Sequence, residues 1–197
     1  MPRAVGQIDP KKSEAILEAA QTLFSERGLT VSMAEIARQA GVSKQTLYNR
    51  FPTKTDIGRA LARQRSDAIT APLRGPGDPL EVLTAFARSM IERIWAAEKG
   101  ASLRGVALMA PHAPDVAAAV YEGGPGESLR RLAGWLALQN EQGRLTIPDP
   151  EAAAEMFSGM VLGFAHLRHF MGVSQPEVVA EAKARDAAVR FIRAFSA

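Results

Sequence analysis

The chain has no cysteine, which excludes disulfide staples, zinc knuckles and thiol-based redox sensing. No apolar run approaches the ~18–20 residues that a membrane span needs. The opening residues, Met1-Pro2-Arg3-Ala4-Val5, lack the apolar stretch and cleavage site of a signal peptide. A soluble, cytoplasmic protein with no membrane partner is the expectation. Strand-like alternation is nowhere sustained, and there is neither an internal repeat nor a low-complexity tract. Signatures of catalysis are missing as well: no Gly-x-Ser-x-Gly elbow, no His-Glu-x-x-His and no dinucleotide fingerprint. The run Gly123-Gly124-Pro125-Gly126-Glu127-Ser128 is glycine-rich, but it lacks the lysine and spacing of a phosphate loop and reads as a kink. The sequence therefore points away from an enzyme and requires no cofactor.

What is present is apolar material, 47% of 197 residues, enough for one large domain or a small one fused to a larger. The formal net charge of +3 hides a division. Residues 1–65 carry 11 Lys and Arg against 6 Asp and Glu, whereas the remainder carries 13 against 15. A basic head on a mildly acidic body suits a nucleic-acid binder with a separate second function. Charge alone does not separate this from chance fluctuation.

Helical periodicity dominates and predicts an all-α chain of about nine helices. Asp9-Pro10 reads as N-cap and first position of a helix whose stripe is Ile16, Leu17, Ala20, Leu23 and Phe24, closed by Gly28. Ser32 and Glu35 have capping-box spacing and open a short second helix with Ile36, Ala37 and Ala40 inward. Gly41 breaks it, and Ser43 caps a third helix anchored by Leu47 and Phe51. Thr53 with Asp56 repeats the capping-box spacing before a longer helix to about Ala71. Pro72-Leu73-Arg74-Gly75-Pro76-Gly77 predicts a loop. Further helices are expected from Asp78-Pro79 to about Glu98 and over Ser102–Ala110. Another spans Pro114–Gly143, interrupted at Gly123–Gly126. The last two run from Asp149-Pro150 to near Gly172 and from Pro176 onward.

The second and third helices, joined by a small-residue turn, make a helix-turn-helix. With Leu47 and Phe51 inward, Lys44, Gln45, Tyr48 and Asn49 share the outer face. Lys44 can donate to guanine O6 or N7, and Gln45 can pair bidentately with adenine. Ser43, Thr46, Tyr48 and Asn49 carry the hydroxyl and amide groups that hold phosphates. Lys54 stands at the start of the next helix, where free N–H groups favour an anion. Arg50 can reach backbone or base, and Ser32 completes the candidate DNA-binding set. A motif that merely packs helices would leave this outward polar spacing as coincidence, although Tyr48 alone could pack against a neighbour.

The segment from about Ser13 to Arg65 resembles the DNA-binding domain of the TetR family. The resemblance is carried by Ala19-Ala20, Leu23-Phe24, Gly28, Ile36-Ala37, Ala40-Gly41-Val42-Ser43, Leu47-Tyr48, Phe51 and Lys54. It implies that Lys44 and Gln45 face bases while Thr46, Tyr48, Asn49 and Lys54 hold phosphates. Arg50 departs from the histidine often found there. Residues 1–65 would then be the DNA-binding domain and 66–197 an effector-binding and dimerisation domain. Tyr121-Glu122-Gly123-Gly124-Pro125, Leu132-Ala133-Gly134-Trp135-Leu136 and Gly143-Arg144-Leu145 resemble the AefR-like C-terminal group. The resemblance implies a homodimeric regulator, in the simplest case a repressor on a palindromic operator in double-stranded DNA, released by a small molecule.

Dimerisation has an independent argument. The helix from Pro150 to Met171 is apolar or small nearly all round its middle, through Met156, Phe157, Met160, Val161, Leu162 and Phe164, and such a helix must be covered on all sides. Gly159 and Gly163 permit close approach. The last helix adds Val178, Val179, Ala182, Val189, Phe191, Ile192 and Phe195, so two copies can form an isologous four-helix interface. Candidates for lining a largely apolar effector cavity are Met90, Ile94, Trp95, Leu108, Met109, Tyr121, Trp135, Phe157, Met160 and Phe164. For each, ordinary core packing is the commoner role. His166 and His169 lie three apart on one helix, but Glu155 is roughly 16 Å away along the axis. His112 has no predicted place beside them, and no metal site is expected.

Overall fold

The computed structural model describes residues 9–95, 105–107, 110–173 and 180–196, with the side chains of 94, 95, 169 and 170 excepted. Nine α-helices stand among the described residues. They are α1 (Pro10–Arg27), α2 (Met33–Gln39), α3 (Lys44–Arg50), α4 (Lys54–Ile69), α5 (Pro79–Trp95), α6 (Pro114–Gly123), α7 (Pro125–Glu141), α8 (Pro150–Met171) and α9 (Ala180–Phe195). Short 3-10 turns follow α1 over Gly28–Thr30 and α4 over Ala71–Arg74. The only extended pairing among these residues is an isolated bridge between Leu145 and Ser196. The all-α expectation holds. The predicted helix over 102–110 and the predicted start at Pro176 lie largely or wholly outside the described residues.

The helix starts follow the local chemistry of the sequence. Asp9 accepts the Lys11 N–H at 3.1 Å and Pro10 takes the first position. Ser32 and Glu35 form the reciprocal capping box. Ser43 Oγ accepts the Thr46 N–H at 3.0 Å. Thr53 and Asp56 exchange the same pair of bonds ahead of α4, with Thr53 N–H to Asp56 Oδ2 at 3.1 Å and Asp56 N–H to Thr53 Oγ1 at 3.1 Å. The interruption expected at Gly123–Gly126 is confined to Gly124, whose φ of −110° and ψ of −97° separate α6 from α7. Residues 71–74 form a 3-10 turn where the proline-rich sequence predicts a loop, because Pro72 fits the first turn of a helix.

The chain divides into two compact units. One takes residues up to Leu61 together with α6 as far as Val120, and the other takes residues from Ala62 through α5 and from Tyr121 onward. The first unit is built on Ile16, Leu17, Ala20, Leu23, Phe24, Val31, Ile36, Ala37, Leu47 and Ile57. Its α4 segment rests on α6 at Gly58, where an added Cβ would come within 3.3 Å of Val120 and 3.7 Å of Val116. Thr55 Oγ1 donates to Asp115 Oδ2 at 3.0 Å beside that contact.

In the second unit α5, α7, α8 and α9 enclose a larger core. Phe86, Phe157 and Phe191, each at most 1% exposed, run through its middle, with ring centroids 6.2 Å and 5.1 Å apart in turn. Burying each such side chain contributes roughly 1.5–3 kcal/mol. Gly143, at φ +65°, closes α7, and Leu145 behind it is buried. Asn140 ties the loop by donating to the Ile147 carbonyl at 2.6 Å and accepting its N–H at 2.8 Å.

Candidate nucleic-acid interface

The reading surface is built on a buried anchor. Leu47 is 0% exposed and sits among Ile36, Ala37 and Ile57, so α3 has one fixed face and its opposite face must look outward. Gly41, at φ +65°, makes the turn between α2 and α3, and the Val42 N–H returns to the Ala37 carbonyl at 3.0 Å. Lys44, Gln45, Tyr48 and Asn49 are exposed, Tyr48 by 49%. Among the described residues none of the four side chains is tied down by an ion pair. They form a donor and acceptor face one helix wide.

The other candidates have partners inside the first unit. Ser43 and Thr46 share a hydroxyl hydrogen bond at 2.8 Å in addition to the cap, so their first role is to hold the start of α3. Ser32 Oγ donates to Glu35 Oε2 at 2.7 Å and caps α2. Arg50, half-buried, donates to the Ser13 hydroxyl of α1 and so clamps α3 to α1. Lys54 Nζ donates to the carbonyls of Leu29 at 2.7 Å and Val31 at 3.2 Å. An ammonium has three N–H donors, and two of these are directed into the turn that precedes α2.

Arg27, which no sequence motif singles out, helps to organise this surface. Arg27, at the end of α1, pairs with Glu35 at 2.7 Å. The Glu35 carboxylate also accepts the Ser32 backbone N–H at 2.8 Å, and its pKa is lowered to about 2, first by the Ser32 backbone hydrogen bond, then by the Ser32 hydroxyl and Arg27. Asp56 at the start of α4 is likewise held below the usual carboxylate value, first by the Thr53 hydroxyl. A pairing eight residues apart, as between Arg27 and Glu35, follows no helical period, so no spacing rule reveals it. Arg38, exposed near the end of α2, is a further cation with no ion pair among the described residues.

The cavity candidates that lie among the described residues differ in burial. Met90, Trp135 and Phe157 are core residues of the second unit. Tyr121, Met160 and Phe164 are exposed, by 56%, 36% and 76%. Leu108, Met109 and the side chains of Ile94 and Trp95 lie outside the described residues. A shallow groove of ≈ 750 Å³ opens instead between the start of α5, Arg144 and Ile192, and none of the candidates lines it. Among the described residues no three His, Asp or Glu side chains gather to hold a metal ion. No described helix is long and apolar enough to cross a membrane.

Comparison with known proteins agrees with this architecture. Residues 16–61 match the family model for bacterial regulatory proteins of the tetR family, and residues 81–197 match that of the AefR-like transcriptional repressor C-terminal domain. The HTH-type transcriptional repressor KstR2 of Mycobacterium tuberculosis is 32% identical over 99 residues, which is 48% of this chain and 49% of that protein. The chain thus spans about half the length of the curated relatives it matches. A TetR-family transcriptional regulator from Mesorhizobium loti superposes with a TM-score of 0.78 at 25% identity, over 98% of this chain and 100% of the other. The flavonoid-responsive regulator FrrA superposes with a TM-score of 0.72 at 30% identity, over 95% and 98%. An exposed polar helix on a buried leucine anchor, two family models that together span most of the chain and fold-level agreement end to end lead to one conclusion: the chain belongs to the TetR family of DNA-binding transcriptional regulators, with an AefR-like C-terminal domain.

Proposed function

We propose that the protein is a repressor that binds a palindromic operator as a homodimer and releases it when a small, largely apolar effector binds. The observation that carries the DNA-reading part is the α3 face of Lys44, Gln45, Tyr48 and Asn49, exposed above a fully buried Leu47. Lys44 and Gln45 read bases, while Tyr48, Asn49 and the exposed Arg38 hold phosphates. In a dimer, two such helices enter successive major grooves with half-sites roughly 34–36 Å apart or a multiple of it. Such a protein acts on the bacterial chromosome, in the cytoplasm.

The dimer is supported by an uncovered apolar stripe on α8. Met156 and Met160 before the kink at Gly163, and Phe164, Leu167 and Met171 after it, are 36% to 76% exposed, and exposed apolar side chains gathered on one element mark an interaction surface. Among the described residues nothing beyond the helix itself lies within 4 Å of a Cβ built at Gly159 or Gly163, which leaves room there for a second copy. Regulation by a small molecule is supported by the likeness to FrrA, which is flavonoid-responsive by name. An effector that binds one spacing of the two heads better than another shifts the population away from the DNA-bound form.

The test is sequencing of genomic fragments retained by the purified protein at about 150 mM salt, where nonspecific binding is already weak. An enriched palindrome is the expected result. Retention without a shared motif, or no retention, would remove the operator reading.

A further inference from the structure

The start, middle and end of α3 are held by different kinds of contact. At its start the fixing is local: Ser43 caps the helix through the Thr46 N–H at 3.0 Å, and the Val42 N–H reaches back to the Ala37 carbonyl at 3.0 Å across the turn. The middle rests on the buried Leu47 and the end on the partly buried Phe51. Apolar contact resists separation but is non-directional, so by itself it leaves a helix of seven residues able to tilt about its anchor. Among the described residues α3 makes a single hydrogen bond to another helix, from Arg50 Nη1 to the Ser13 hydroxyl in the first turn of α1.

The turn of the helix decides what Arg50 can reach. At 3.6 residues per turn, Arg50 stands roughly 60° round α3 from Leu47 and roughly 140° from Gln45. Arg50 and Ser13 are both half-buried, while Gln45, Tyr48 and Asn49 are exposed. The guanidinium is therefore directed along the covered flank to α1 rather than toward the reading face. A planar fork with fixed donors makes a directional contact, and its charge makes that contact stronger than a neutral one. Ser13 belongs to a helix whose Ile16, Leu17 and Ala20 are buried in the core of the first unit, so the acceptor is anchored independently of α3.

We propose that Arg50 is a positioning residue: through Ser13 it fixes the tilt of α3, and with it the sequence preference of Lys44 and Gln45, without itself contacting DNA. This rests on the reading face proposed above and adds a pair of residues that controls it from behind. A serine hydroxyl outside the helix-turn-helix then governs how well the operator is told from other sequences.

The test uses the full chain and a pool of duplexes with a randomised core, from which the wild type selects its preferred sequence. Affinity for that sequence and for a shuffled duplex of the same composition is then measured over a range of salt for Ser13→Ala, Arg50→Met and the double variant. Each single variant is expected to reduce the preference about tenfold, the effect of losing one charge-assisted hydrogen bond. The double variant should lose no more than either alone, because both changes remove the same interaction. The salt slope should keep its wild-type value in all three, whereas loss of a phosphate contact lowers it by about one unit. Alanine is a better helix former than serine, so Ser13→Ala is expected to fold, and binding is measured well below its melting midpoint. A slope that falls by a unit in Arg50→Met would overturn the proposal and return Arg50 to the phosphates. Undiminished preference in Ser13→Ala, or additive losses in the double variant, would overturn it and leave the reading face standing. A wild type that selects no sequence would overturn the reading face and this inference together.

Discussion

Lys44 and Lys54 show how one residue type takes two roles in a reading head ten positions across. Lys44 is exposed on α3 and its charge is uncompensated among the described residues, whereas Lys54 is half-buried and reaches two backbone carbonyls. Lys44→Ala or Gln45→Ala is therefore expected to relax sequence preference by ~1–3 kcal/mol, if each makes a bidentate base contact. Binding to a set of single-base operator variants checks this, and unchanged discrimination would remove both from the reading face. Lys54→Ala should behave differently. It leaves the Leu29 and Val31 carbonyls without a charged donor and costs about 1.5–3 kcal/mol of stability. Urea denaturation measures that loss, while the slope of DNA affinity against salt should change by less than one unit, because the ammonium is directed inward. A full unit of slope without loss of stability would return Lys54 to the phosphate.

At the scale of the element, α2 depends on a carboxylate at its N-terminus. Glu35 is held at about pH 2 by the Ser32 backbone N–H, the Ser32 hydroxyl and Arg27. Its native pKa lies below the ordinary carboxylate value, so protons bind the unfolded chain more readily than the folded one. Its contribution is therefore fully present above about pH 4.5 and disappears as the pH falls through about 2. Melting curves of the wild type and Glu35→Gln should differ at pH 7 and converge near pH 2. A difference that persisted at pH 2 would mean that Glu35 acts through packing rather than charge. The same local logic sets the ends of α1, α3 and α4, where Asp9, Ser43 and Thr53 satisfy orphan N–H groups.

For the whole molecule, the decisive surface is the stripe on α8. Phe164 is 76% exposed, more than any other large apolar side chain described, and a single chain leaves it in water. Phe164→Glu is expected to convert the dimer into a monomer, as read by sedimentation velocity. Affinity for a palindrome should then fall to that for an isolated half-site, because the second head no longer binds as a linked partner. A variant that stayed dimeric and kept its palindrome affinity would move the interface off α8. The second unit should still fold as a monomer, since Phe86, Phe157 and Phe191 are buried within it without any partner chain.

Periodicity and capping chemistry were enough to determine the helical class, the helix starts at Pro10, Met33, Lys44, Pro79 and Pro150, and the outward face of α3. These are local properties: a cap is a hydrogen bond within four residues, and a helix face follows from 3.6 residues per turn. The resemblance to the family was legible because its motif residues lie within one short, ordered stretch. Whether a polar side chain on the head is free or already engaged was not legible. Arg50 with Ser13, Lys54 with Leu29 and Arg27 with Glu35 each join residues from different elements. Composition could not sort the cavity candidates either, because Phe157 in the core and Phe164 in solvent share one helix and one chemistry. Only the tertiary structure decided which cations were compensated and which apolar faces were covered, since both depend on what other elements bring close rather than on what the residue is.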